Sequence, residues 1–449
     1  MQKIIIRHNG PVKNIEIDIK KFNLLIGEQA TGKSTIAKSI YFCRYVKTLI
    51  SNYLIQVMES NSFDGKEPNQ DGQFYKDIRE KLKDVFIRLF GYSWDLDPDF
   101  YIEYVFSDQI WFNIHISDFS DSGKKYINEK YSDTLTRNVK ALIKEARDIF
   151  HNTRKDRLSL ELENESRTRN RKYLINRVNE IFDDNLTTYY IPAGRSLLTL
   201  LSASRASMNS LQNLDFIMNR FMELIDGVRD VFHNGVTNVY KYFPDGSRPF
   251  DVKDIANDII KMQKGEYINT FSGEKLLVHT ENNEISEVEI NFSSSGQQEI
   301  LWLLNFLYVL MLRREKAFVI IEEPEAHIYP SLQKNIIEFI VQFANLCNSN
   351  IFITTHSPYV LTSVNNLYYA GTIIREDQNK AKSVNKVIKK NYIIMADDLT
   401  ALKLDSSETN SICDLLQDDE YEINSYMIDE ISDGINELYT QLYKIKEDY

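Results

Sequence analysis

The chain has 449 residues, 43% hydrophobic and 26% charged, with 53 lysines and arginines against 65 acids and a net charge of −12. That length is roughly two to three average domains with a sizeable core, and the balance excludes a wholly disordered chain. No apolar run approaches the roughly 18 residues that span a bilayer, and Cys43, Cys347 and Cys413 form no CxxC pair, so a cytoplasmic protein without membrane spans, disulfides or zinc finger is expected.

From the N-terminus, Ile4-Ile5-Ile6, the alternating Ile15, Ile17 and Ile19, and Phe22–Ile26 read as strands. Gly27-Glu28-Gln29-Ala30-Thr31-Gly32-Lys33-Ser34-Thr35 follows and fits GxxxxGK[ST]. A helix is predicted from about Ser34, with Ile36, Ala37 and Ile40 on one face. Strand before and helix after are the context a phosphate loop needs. Its backbone amides and the helix N-terminus suit phosphates. Lys33 suits the β- and γ-phosphates, and the Ser34 hydroxyl suits Mg²⁺.

Residues 59–74 read as polar loop, followed by a helix near 75–90 and strands at Tyr101–Phe106 and Ile110–Ile116. The pattern then turns helical to Phe182, with Val139, Leu142, Ile143, Ala146, Ile149 and Phe150 at helical spacing. Residues 151–177 carry eight basic residues against four acids. That bias fits a solvated helical hairpin or a face that meets nucleic acid or a partner. Tyr189–Arg195 reads as a strand ending at a sharp turn, with helices at about 206–232 and 251–263 and a β-rich stretch to Ile290. Residues 296–360 alternate helix, strand, helix, strand.

The predicted strands at 22–26, 317–321 and 350–354 are separated by far more chain than one crossover needs. An α/β head built from 1–60 and 285–375 is therefore expected, with 61–284 inserted (the helical hairpin at about 134–182 included). The remaining 376–449 is expected to be an acidic, helical segment. From Asp414 onward it holds eleven acids against Lys444 and Lys446, most of the net charge. Ile428, Ile431, Ile435, Leu438 and Leu442 mark one helical face there, fit for core or for an oligomer seam.

Three further motifs lie in the last third. The apolar run Phe318–Ile321 ends in Glu322-Glu323-Pro324-Glu325. Such a strand end suits a metal carboxylate at Glu322 and a base or water-orienting carboxylate at Glu323, though solvated loop acids give the same pattern. Ser293-Ser294-Ser295-Gly296-Gln297-Gln298-Glu299 opens an apolar helix and fits an N-cap with its box partner. Ile351–Thr355 stops at His356-Ser357-Pro358, where a histidine is commonly structural.

Taken in order, the phosphate loop, long insertion, SSSGQQE, EEPE and TTHSP resemble the ATP-binding-cassette-type ATPases of the SMC, RecF and OLD group, in the AAA-like branch. The resemblance implies a parallel or mixed sheet flanked by helices, ATP with Mg²⁺ bound at Gly27–Thr35, and ATP hydrolysis. It implies a signature motif at Ser294, Gly296 and Gln297 that meets the nucleotide of a second protomer. Glu322 and Glu323 then form the Walker B pair and His356 the switch histidine. Tyr190–Arg195 matches more loosely, the loop lacks the common Asn-Gly pair, and a Q-loop glutamine is not located. Without long heptad arrays, chromosome tethering is disfavoured.

Fewer than 100 residues follow His356, so a C-terminal TOPRIM nuclease of the OLD kind is not expected. Standalone ATPases with this motif set resemble the sensor subunits of bacterial anti-phage modules such as PARIS. The resemblance implies a homo-oligomer, dimeric at the nucleotide, that controls a separate effector such as a TOPRIM nuclease after a phage protein triggers it. A RecF-like repair ATPase that clamps DNA is the alternative.

Overall fold

The computed structural model of the protein describes residues 1–59, 71–91, 97–117, 126–155, 160–202, 215–243, 250–279, 284–405, 412–416 and 423. Strands β1 (Gln2–Asn9), β2 (Val12–Ile19) and β3 (Phe22–Gly27) lead into helix α1 (Lys33–Glu59). Next come α2 (Asp71–Phe90), β4 (Tyr101–Ser107), β5 (Ile110–Ser117), β6 (Tyr126–Tyr131), α3 (Asp133–Lys155) and α4 (Leu160–Phe182). The middle continues as β7 (Thr187–Ile191), α5 (Ser196–Ser202), α6 (Phe216–Asp226), α7 (Val252–Gln263), β8 (Glu266–Thr270), β9 (Gly273–His279) and β10 (Ile285–Glu289). The last third holds α8 (Ser295–Arg313), β11 (Ala317–Glu322), α9 (Pro330–Cys347), β12 (Asn350–Thr355), α10 (Pro358–Glu376), α11 (Ala381–Val387), β13 (Leu399–Leu404) and β14 (Ile412–Asp414).

The expected α/β architecture is present. Six strands form the central sheet in the order β14-β13-β3-β12-β11-β7, parallel except for β14. Strands β3, β11 and β12 are near-continuous apolar runs because both faces of this sheet are covered. Alternate residues feed two cores. Leu24, Ile26, Val319, Ile321, Ile351 and Ile353 face α8 and its neighbours, while Leu25, Phe318, Ile320 and Phe352 face α1 and the antiparallel sheet. Helix α8 is buried continuously from Gln298 to Leu312, which explains its all-round apolar sequence.

The antiparallel sheet runs β2-β1-β4-β5-β6. Burial alternates along β2 and β4, as one covered face requires. Helices α2, α3 and α4 pack on α1. Between α1, the end of α4 and both sheets lies a buried charge cluster. Arg44 donates from Nη2 to Asp184 Oδ2 at 2.7 Å, from Nη1 to Gln2 Oε1 at 2.9 Å, and from Nε to Thr188 Oγ1 at 3.1 Å. Its guanidinium lies 4.1 Å from the ring centroid of Phe318.

Several expectations change. Strand β7 falls in the stretch read as an insertion, yet it is the edge of the central sheet, beside β11. The segment after 376 is not purely helical: β13 pairs in parallel with β3. Leu399–Leu404 is a short apolar strand whose signal is swamped when composition is averaged with the acidic tail. Of the helix expected over 206–232, residues 206–214 lie outside the described residues, α6 covers Phe216–Asp226, and Arg229–Phe232 winds as a 3-10 turn. Strand β6 is an edge strand of polar sequence, Tyr126-Ile-Asn-Glu-Lys-Tyr131, with little apolar alternation to announce it. In the basic stretch, Arg171 Nη2 donates to Glu59 Oε2 at 2.8 Å and Arg177 pairs with Glu145 and Glu180, so part of its charge is matched within the chain. The Ile428–Leu442 stripe lies outside the described residues.

Candidate nucleotide site

Parallel strands bring their carboxyl ends to one sheet edge, where open α/β sheets bind ligands. Residue Ile26 of β3 pairs with Thr355 of β12, Glu322 of β11 with Thr354, and Ile191 of β7 with Ile321. The edge therefore presents, side by side, the phosphate loop, His356, the Glu322–Glu323 pair and the Pro192–Arg195 turn.

The loop from Gly27 is shaped by its own contacts. Thr31, 4% exposed, donates from Oγ1 to the Glu28 carbonyl at 2.9 Å. Ala30 has φ 62° and Gly32 φ 105°, so the backbone curls tightly before α1 starts at Lys33. Gln29 and Ala30 are exposed, Ser34 is exposed on the first turn of α1, and Thr35 is half-buried beside it. First-turn amides of a helix have no partner within the helix and, with the helix dipole, favour an anion.

Lys33 folds back over the loop. Its Nζ donates to the carbonyls of Gly27 at 2.8 Å and Glu28 at 2.5 Å, and stands 3.4 Å from His356 Nδ1. Burial lowers its ammonium to about 8, against the opposing pull of Glu323, Glu325 and Glu28. On the other side of the ring, His356 Nε2 is 3.2 Å from Glu323 Oε1. An ammonium can only donate, so Nδ1 accepts from Lys33 and Nε2 carries the proton that Glu323 accepts. Phosphate-loop lysine, histidine and carboxylate thus form one chain of contacts.

Glu323 has φ 42°, in the left-handed region a side chain seldom adopts, at a cost of about 1–2 kcal/mol. Its amide donates to the Thr354 carbonyl at 2.9 Å, and its carboxylate faces the loop side of the edge. Glu322 is 7% exposed, and among the described residues its Oε1 makes no hydrogen bond of good geometry, with the Tyr190 hydroxyl near the carboxylate. Burial and then the Glu322 carboxylate push the neighbouring Tyr190 phenol well up. A buried carboxylate oxygen so placed at the end of a strand suits a hard cation such as Mg²⁺. Glu325 Oε1 accepts from Thr355 Oγ1 at 2.6 Å and from the His356 amide at 2.9 Å, holding the histidine's backbone in place.

The helix start read as an N-cap is one. Ser294 Oγ accepts from Gln297 N at 3.3 Å and Gln297 Oε1 accepts from Ser294 N at 3.1 Å, a complete capping box. Gln297 Nε2 also donates to the Gln263 carbonyl at 2.9 Å. The Gln297 side chain, expected at a nucleotide, is therefore committed to the cap. At Gly296 a Cβ would lie 2.9 Å from the His327 carbonyl, so only glycine lets this helix start so close to the Glu325–Pro330 turn. Among the described residues, no hydrogen bond or ion pair joins Ser294–Gln297 to the phosphate loop.

The sequence reading left Arg195 and Glu299 without a role. Both are fully buried at the edge and bonded to each other. Their signal was present: one charged residue after a Pro-Ala-Gly turn, another inside an apolar helix.

A family model described as AAA ATPase domain matches residues 1–361. No curated protein matches the chain. Three SMC head structures are similar at low score. The SMC head bound to the C-winged helix domain of ScpA shares 13% identity over 80% of this chain and 90% of that chain, with a TM-score of 0.36. The SMC head domain from Thermotoga maritima shares 10% over 80% and 90%, with a TM-score of 0.32. The Smc head with an extended coiled coil bound to the C-terminal domain of ScpA from Pyrococcus furiosus shares 13% over 81% and 92%, with a TM-score of 0.35. At those scores nothing about function follows. The family match spans the phosphate loop, the Glu322–Glu323 pair and His356, and the chain belongs to the AAA ATPase domain family.

Proposed function

We propose that the protein hydrolyses ATP at a site shared between two copies of the chain. The observation that carries this reading is the contact chain Lys33–His356–Glu323 at the carboxyl edge of the parallel sheet. The amides of Gly27–Thr35 bind the phosphates, and Lys33 exchanges its two loop carbonyls for phosphate oxygens. Ser34 and Glu322 hold Mg²⁺, which neutralises charge on the phosphates when bound. Glu323 orients a water and accepts its proton as the water oxygen bonds to the γ-phosphorus and the bond to the ADP oxygen breaks. His356 hydrogen-bonds Glu323 and holds it at that position.

The N-terminus of α8, with Ser294 and Gly296, completes the site of a neighbouring copy. Support comes from its exposed cap and from the exposed Phe292 and Tyr329 beside it, 80% and 78% accessible. The test mixes two separately inactive variants, Lys33→Ala and Ser294→Arg. Their hybrid contains one site with an intact Lys33 facing an intact Ser294, so part of the turnover returns. Mixed dimers verified by differential tags that stay inactive would refute the shared site.

The cellular role proposed is that of the ATPase subunit of an anti-phage module, holding a separate nuclease effector. The resemblance of motif order to such subunits supports it. Expression of the chain with the gene product encoded next to it, followed by phage challenge of wild type and Lys33→Ala, tests this role. Equal phage sensitivity with and without the pair rejects it.

A further inference from the structure

Arg195 sits at zero exposure in the turn after β7, and every guanidinium nitrogen is engaged. Its Nε donates to the backbone carbonyl of Glu299 at 2.9 Å, and Nη1 to that of Pro192 at 2.8 Å. Two further bonds run from Nη1 to the Glu322 carbonyl at 2.9 Å and from Nη2 to the Glu323 carbonyl at 3.0 Å. Those are the backbones of the two carboxylates assigned to metal and water. Glu299, equally buried, returns the grip: Oε2 accepts from Arg195 N at 3.0 Å and Oε1 from Ser196 N at 3.1 Å.

Glu299 lies on the second turn of α8, the helix capped by Ser294. The start of that helix also presses the Glu325–Pro330 turn, through the close approach of Gly296 to the His327 carbonyl. Helix α8 therefore holds the Glu322–His327 segment at two points, one polar and one steric. A shift of α8 along its axis must turn the 322–323 and 323–324 peptides, because Arg195 is a planar fork with each of its three nitrogens bonded to a backbone carbonyl and cannot slide freely. Glu323 is the most sensitive position, since its left-handed backbone is held by surrounding bonds and not by its own preference.

We infer that Arg195 and Glu299 are positioning residues that couple the phosphate-facing start of α8 to the Glu322 and Glu323 carboxylates. The inference rests on the proposed shared site. In that arrangement α8 touches the neighbour's nucleotide while Glu323 serves its own chain's, so the Arg195–Glu299 link joins the two sites of a pair. Occupancy of one site then sets the carboxylates of the other.

The test uses full-length Arg195→Lys and Glu299→Gln. Lysine keeps the charge but lacks the fork that bonds both carbonyls; glutamine keeps the shape but replaces one of the two accepting oxygens with a donor. Both variants are assayed for ATP turnover, for affinity for ADP without Mg²⁺ (in EDTA) by calorimetry, and for folding by circular dichroism at the assay temperature. The expected result is a kcat lower by about 10- to 100-fold, the range a small misplacement of reacting groups produces, with metal-free ADP affinity unchanged in the folded variants. Metal-free ADP reads the Lys33 loop and not the Glu322 carboxylate that holds the metal. Wild-type kcat in either folded variant overturns the inference. So does a parallel loss of metal-free ADP affinity and kcat, or unfolding of both variants, either of which makes the pair a structural staple. A wild-type chain that neither binds ADP nor turns over ATP defeats the proposed function itself, an outcome distinct from those three.

Discussion

Raising the pH from 7 to 9 should weaken MgADP binding by about tenfold through Lys33 alone. Lys33 is 5% exposed, and burial lowers its ammonium to about 8 although Glu323, Glu325 and Glu28 pull the other way. In the free protein roughly nine tenths of Lys33 is then charged at pH 7 and roughly one tenth at pH 9. A bound polyphosphate holds the proton on the lysine. Binding above about pH 8 must therefore take up a proton, and affinity falls with a slope approaching about tenfold per pH unit. Folding shows the matching sign. The Lys33 contribution to stability is fullest above the ordinary lysine range and is lost as pH falls through about 8, because the unfolded lysine keeps its proton across that window. Calorimetric titration with MgADP at pH 7, 8 and 9, in two buffers of different ionisation enthalpy, reads both affinity and proton uptake. The product ligand avoids turnover during the measurement. Lys33→Ala is the control and should bind weakly with no such slope. A flat wild-type profile, or the same slope in Lys33→Ala, would show that Lys33 is not the titrating group.

Glu323→Gln should lower ATP turnover by about 10²- to 10⁴-fold while leaving nucleotide binding intact, since the amide keeps the shape but cannot accept the proton; turnover at the wild-type rate removes Glu323 from the chemistry. Arg44→Met should cost about 1–3 kcal/mol in urea unfolding, because it removes the charge-assisted bond from Arg44 to buried Asp184 and leaves Lys47 as the cation on that carboxylate. A loss well below that range would mean water reaches the cluster. Burial favours the neutral form of Asp184, yet Arg44 and Lys47 win and hold its carboxyl below the usual range. Its stabilisation should be full above the unfolded aspartate value and fade as acid lowers the pH through the folded one. Gly371→Ala should destabilise by at least about 1–3 kcal/mol, as a Cβ there would lie 2.0 Å from the Ile394 carbonyl, a backbone atom. An unchanged melting temperature would show that α10 and the 394 segment separate readily.

The parts legible in the sequence were those encoded locally. Gly27–Thr35 carries its loop, its cation and its helix start within nine residues, and the structure places them as a unit at the end of β3. Glu322 and Glu323 were legible because an apolar strand must end where its carboxylates begin. Strand β13 was not, although it is the parallel neighbour of β3: six residues with a single lysine near the end leave too short a period against an acidic background. Strand β7 was read correctly as a strand and assigned to the wrong context. Nothing local distinguishes an edge strand of the central sheet from a strand inside an insertion. Pairing partner is a long-range property, and here the partner β11 lies on the far side of four α-helices and another sheet in the chain order.

The same distinction separates the site's reactive groups from the groups that aim them. Arg195 and Glu299 meet across 104 residues and Arg44 and Asp184 across 140. Asp184 and Arg195 stand among polar or turn residues and Arg44 and Glu299 beside apolar ones, and either setting fits an exposed side chain as well as a buried pair. Burial decides between the two, and burial is fixed only when the sheets and α8 close around them. An unpaired charge in such a place would cost several kcal/mol, so the two partners can be retained only together. That mutual dependence puts the most consequential couplings where motifs are silent. Phosphate-binding loops are spelled out because one stretch of backbone does the binding. The carboxylates' aim is spelled nowhere, because it is set by whatever holds two peptide carbonyls from behind, and here that is an arginine more than a hundred residues away.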